Sequence, residues 1–208
     1  MVPELTALGF CGADDSVHPH HLALIAKEYR TVEFGVLFRP DKAGTPRYAS
    51  SAFVERLSAT AKAMQRDKSI TMKLAAHLCS SRVNELLDGS TEFLQYLVDC
   101  GFQRVQINAT AVNGVDTSKL AGAVPILWQI IQDFPVEFIL QKNEETRPLW
   151  EGIENLLKLH PRENVAMLVD ESKGTGVLSS SWPVPSKLYK TGYAGGIGPD
   201  NIRVVLDT

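Results

Sequence analysis

Seven times along this 208-residue chain a short run of β-branched and aromatic residues gives way to a longer stretch of helical period. That alternation is the mark of βαβ crossovers onto a parallel sheet, and it confines the fold class to α/β. The strands are read at Leu5 to Cys11, Val32 to Phe38, Thr71 to Cys79, Arg104 to Ala109, Val136 to Gln141, Val165 to Val169 and Tyr189 to Tyr193. Between them the helical period runs over Pro19 to Tyr29, Ala52 to Met64, Val83 to Leu87, Glu92 to Val98, Leu120 to Gln132 and Leu149 to Leu159. Thr146 is expected to cap the last of these, and a further helix is expected to open at Pro199. No linker interrupts the pattern. Residues 1–208 are therefore expected to form one (β/α) barrel-like domain of TIM type, with the eighth strand and helix missing.

Composition excludes several function classes. With 44% hydrophobic and 22% charged residues the chain can bury one substantial core. A net charge of −3 leaves no basic field to concentrate nucleic acid or an anionic membrane surface, so neither is an expected partner. No apolar run approaches the roughly 20 residues of a bilayer span, and the first residues carry Glu4 but no basic stretch. Three widely spaced cysteines, Cys11, Cys79 and Cys100, suit a reducing compartment, and the cytoplasm is the expected location.

In a parallel α/β sheet the chemistry lies in the loops that follow the strands. Three motifs stand there. Tyr193-Ala-Gly-Gly-Ile-Gly-Pro-Asp-Asn201 is a strand end, paired glycines and a proline-started segment: either a phosphate cradle of free backbone N–H groups or a tight turn. Met167-Leu-Val-Asp170 delivers a carboxylate to its strand exit before Gly174-Thr-Gly176. Asp170 is then a general base, or a cap for the backbone of that loop. Cys11 ends the first strand and would face the same mouth as an acid, a nucleophile or a small buried hydrophobe. His77 ends the third strand and is read either as reaching the site or as a hydrogen-bonded core histidine. Gln106 and Gln141 are read as contacts to a polar substrate or as partners of loop backbone. His18, His20 and His21 open a helix and read as solvated surface, not as a metal site.

Cys11-Gly12, Asp170 with Gly174-Thr-Gly176, and the Ala194-Gly-Gly-Ile-Gly-Pro-Asp-Asn201 turn, in that order, resemble phosphoribosylanthranilate isomerase, a TIM-barrel family of the tryptophan pathway. Gly35-Val-Leu-Phe38, Pro46-Arg-Tyr48 and Val105-Gln-Ile107 extend the resemblance over nearly the whole chain. It implies an intramolecular oxidoreductase of the aldose–ketose type that carries out an Amadori rearrangement on a small phosphorylated substrate. Cys11 would be the general acid and Asp170 the general base, while Arg47 would hold a carboxylate. Gly195 and Gly196, with Gly174 and Gly176, would hold the phosphate. No metal or organic cofactor follows from this scheme.

The sequence departs from the family at Lys173, where glycine is usual, and at Asn108, where histidine is common. It also carries longer connections at Arg39 to Pro46 and Ser179 to Ser186. With seven strands the first and last would keep unpaired edges. A C-terminal segment, a homo-oligomeric partner or an open sheet would each account for them. The alternatives to the isomerase are a non-catalytic homologue that binds a phosphate ligand or serves in an assembly, and a barrel enzyme with a different substrate. The catalytic reading requires Cys11, Asp170 and the diglycine to share one mouth.

Overall fold

The computed structural model describes residues 4–66, 70–173, 175–179 and 181–207. Seven strands form one parallel sheet in sequence order: β1 (Leu8–Cys11), β2 (Val32–Phe38), β3 (Lys73–Leu78), β4 (Arg104–Ile107), β5 (Glu137–Lys142), β6 (Val165–Val169) and β7 (Lys190–Tyr193). The helices are α1 (Pro19–Glu28), α2 (Ser51–Arg66), α3 (Ser81–Leu87), α4 (Glu92–Asp99), α5 (Val124–Asp133), α6 (Arg147–Leu159) and α7 (Ile202–Leu206). The sheet curls into an open half-barrel. No pairing joins β7 to β1 among the described residues, so the architecture is an open α/β half-barrel, consistent with part of a TIM-type barrel.

Side chains alternate across the sheet with period two, and the register carries this alternation from strand to strand. One face presents Phe34, Val36, Leu74, Ala76, Val105, Ile107, Phe138, Leu140, Val165 and Met167, all buried in the core beneath the helices. The helices supply the other half. On α2, Phe53, Leu57, Ala61 and Met64 recur at helical spacing and all are buried. α1 packs on α2, and α5 on α6.

The concave face is different. Near the amino ends of the strands it carries charges: Glu33 on β2, Arg104 on β4, Glu137 on β5 and Lys190 on β7. The Arg104 guanidinium reaches both carboxylates, Nη1 lying 2.9 Å from Glu33 and Nη2 2.6 Å from Glu137. Lys190 adds a second cation to Glu137. Glu33 is only 4% exposed, so its charge is tolerable only because it is paired. The strands are thus apolar on one face, while the other combines charges at its amino-terminal end with buried Ala75, Ile139 and Ala166.

Two local expectations need correction. Thr146 sits at the start of α6 but makes no side-chain cap. Its hydroxyl donates to the Gln141 carbonyl at 2.6 Å, and Asn143 Oδ1 accepts instead from the N–H groups of Glu145 and Thr146. Nor does a helix open at Pro199. Asn201 closes a turn there, accepting from Gly198 N–H at 2.8 Å and donating to the Gly196 carbonyl at 2.9 Å, and α7 starts only at Ile202.

Removing one partner of a buried charge pair leaves the other uncompensated. Arg104→Met is therefore expected to cost about 3–5 kcal/mol in urea denaturation. Lys119→Met, which removes the exposed pair with Asp88, should cost under about 1 kcal/mol.

Candidate functional site at the carboxyl ends of the strands

The register decides which residues share the concave face. Cys11 pairs with Gly35, and Gly35 with Ala75, two residues before His77. His77 pairs with Gln106, and Gln106 with Ile139, two residues before Gln141. Gln141 pairs with Leu168, two residues before Asp170. Cys11, His77, Gln106, Gln141 and Asp170 therefore all project to the concave side near the strands' carboxyl ends, above the charged floor.

Cys11 and His77 touch: Sγ lies 3.2 Å from Nδ1 across the intervening strand. The strand between them allows it because it carries glycine there. A Cβ at Gly35 would lie 2.6 Å from Cε1 and 2.7 Å from Nε2 of His77, so the imidazole occupies the slot that the missing side chain leaves. Cys11 counts as exposed because β1 is an edge strand, but its thiol faces inward. Burial pushes that thiol above its ordinary value, with the nearby Arg47 guanidinium pulling the other way. His77 is lowered to about 4, first by burial and then by the positive charge of Arg104. Thiol and imidazole are both neutral near pH 7, the reverse of a thiolate–imidazolium pair.

Arg47 comes from the loop before α2, and its side chain lies on Gly12, where a Cβ would be 3.2 Å from Nε. Its backbone is left-handed, with φ 72, a conformation that a non-glycine residue keeps only when its surroundings hold it. The holder is Asp14. This buried carboxylate accepts from the Arg47 N–H with one oxygen and from Ser16 N–H and Oγ with the other. Those bonds, Ser16 foremost, keep the Asp14 carboxyl below its ordinary value. Asp15 accepts from Ser50 N–H and Oγ in parallel, so the two loops are stitched twice.

Across the mouth, Asp170 is 5% exposed and both its oxygens are engaged. Gln141 Nε2 donates to Oδ2 at 2.9 Å, and Ser172 Oγ donates to Oδ1 at 2.5 Å. Ser172 Oγ also accepts from the Gly176 N–H, so Asp170 braces its loop through Ser172. The single amide oxygen of Gln141, Oε1, is buried without a partner among the described residues. Between the two halves, Gln106 Nε2 donates to Asn108 Oδ1 at 2.7 Å, and Asn108 Nδ2 lies 3.4 Å from the Cys79 sulfur.

The diglycine turn is packed by the chain itself. Gly195 and Gly196 have φ of 107 and 62, and a Cβ on Gly196 would come within 2.7 Å of the Leu178 nitrogen. Gly176 has φ 76, and Gly174 lies outside the described residues. Among the described residues no group of three metal-ligating side chains gathers, and no helix is long and apolar enough to cross a membrane. Family models, curated proteins and solved structures give no match to the chain.

Gly35, Asp14 and Ser172 carry roles that sequence reasoning did not assign. Glycine inside a strand signals a close approach, and Asp-x-Ser signals a local side-chain turn. Nothing in the sequence says that the approach at Gly35 comes from a histidine 42 positions on.

Two outcomes follow for this cluster. The folded pKa of His77, about 4, lies below its ordinary 6.5, so the unfolded chain binds more protons between those values. The stability His77 contributes is complete above 6.5 and is lost as pH falls toward 4. Unfolding free energies of the wild type from urea titration should accordingly drop faster than those of His77→Gln across that window, by roughly 1.4 kcal/mol per pH unit. Gly35→Ala should cost about 1–3 kcal/mol in the same assay, since the imidazole must leave its slot.

Proposed function

We propose that this chain is an isomerase of the phosphoribosylanthranilate type, acting on a phosphorylated sugar conjugate by general acid and base catalysis. The observation that carries the reading is the shared face: a neutral thiol at the end of β1 and a doubly hydrogen-bonded carboxylate after β6 flank one concave mouth. Opening an aminated ribose ring needs one group that gives a proton and another that takes one. Cys11 protonates the ring oxygen as its bond to the anomeric carbon breaks and the nitrogen lone pair forms the iminium. Asp170 then removes the proton from the neighbouring carbon, and the resulting enol-amine relaxes to the ketone. Burial keeps the thiol protonated and so fit to be the acid.

Arg47, its backbone N–H held by Asp14, supplies a guanidinium beside Cys11 that suits the carboxylate of the aromatic amine. The phosphate is assigned to the Gly195–Gly196 turn. Gln141 and Gln106 line the wall between acid and base.

Turnover of phosphoribosylanthranilate by the purified chain is the direct test. Asp170→Asn is expected to lower kcat by about a thousandfold and Cys11→Ser by at least about a hundredfold. A wild-type chain with no turnover rules this substrate out. One observation favours a second reading, a non-catalytic homologue in an assembly: Gly176 to Leu178 fill the side of the diglycine turn where a Cβ would project. A folded wild-type chain that shows neither turnover nor calorimetric binding of a phosphate ester would select it.

A further inference from the structure

A thiol that acts as an acid must point its proton at the ligand, and the sulfur it leaves must be stabilised. Four elements face the Cys11 sulfur. β3 brings His77 and the Cys79 thiol, and the loop before α2 brings the Arg47 guanidinium. Beneath them β4 brings Arg104, whose charge acts on His77, and β2 contributes Glu33 and Gly35. Of these, His77 is the group placed by construction: the Gly35 slot holds its ring, and Nδ1 sits 3.2 Å from Sγ.

We propose that His77 is the positioning residue for the Cys11 thiol. It presents Nδ1–H to the sulfur, so that the thiol proton faces the mouth and the departing charge is held by imidazole and guanidinium together. The opposite tautomer would commit the thiol proton to an S–H···Nδ1 bond pointing away from the ligand. It would also set a bare nitrogen lone pair against the thiolate. In the proposed arrangement the S–H bond breaks, its electron pair stays on sulfur, and the proton goes to the ligand oxygen. Nδ1–H and the guanidinium keep their protons throughout, so His77 itself is not a proton donor.

The inference rests on the acid role given to Cys11 above, and its test uses no substrate. Nitrogen-15 spectra of the wild-type chain at pH 7 are expected to show His77 protonated on Nδ1. Alkylation of Cys11 by iodoacetamide, followed across pH by peptide mass spectrometry, reads the thiolate directly. Loss of a hydrogen bond to a charged group is large enough that His77→Leu should slow alkylation at pH 7.5 by about tenfold. His77→Gln, whose amide still donates, should stay within about threefold. An Nε2–H tautomer overturns the proposal, as does a folded His77→Leu that alkylates at the wild-type rate. If that variant does not fold, the wild-type tautomer decides alone. A chain with the expected tautomer and alkylation profile but no isomerase turnover keeps this assignment and loses only the substrate.

Discussion

A single guanidinium organises the concave face of this sheet. Arg104 projects from β4 and must satisfy Glu33 two strands away on one side and Glu137 on the adjacent strand on the other. Two charges taken out of water are tolerable only with such close, hydrogen-bonded partners. That geometry favours a curled sheet, because curling brings alternate strands together on the inside, as in the layered interior of a barrel. Lys190 extends the same network from β5 to β7. The hydrophobic driving force lies on the other face, where the strands' outward residues meet the helices.

The floor also reaches the chemistry above it. Arg104 adds its positive charge to the desolvation of His77, so the imidazole stays neutral far below its usual range. The Cys11 thiol is likewise kept neutral by burial, with Arg47 limiting the effect. Opposite them stands Asp170, with a donor on each oxygen. One side of the mouth thus holds a neutral thiol and the other a hydrogen-bonded carboxylate. Unlike surroundings of this kind are what the proposed acid and base roles would require. Asp14 contributes from outside the mouth, by keeping Arg47 in a left-handed conformation that brings its side chain over Gly12.

Much of this was legible from composition and period. β2 and β6 appear at the residues where hydrophobic runs placed them, and α1 and α6 begin and end within two residues of expectation. Cys11 and Asp170 were singled out because they stand at strand exits, and the register turns both to the concave side. The misses share a physical cause. Pro199 looked like a helix start, but the Asn201 side chain closes a turn with Gly196 and Gly198. Thr146 looked like a cap, but the end of β5 offered its hydroxyl a carbonyl at 2.6 Å. In each case a side chain bonded to a nearby backbone group other than the helix start that propensity had assigned to it.

The sequence by itself determined the element order, the parallel sheet and the residues at the strand exits, since hydrophobic period and turn chemistry act over a few positions. Only the tertiary structure decided that the sheet stays open between β1 and β7, that Gly35 makes room for His77, and that the thiol and the imidazole meet as neutral groups. Those outcomes depend on strand register and on the field of buried charges, which arise between segments far apart in the chain. Neither leaves a mark that a local pattern can carry.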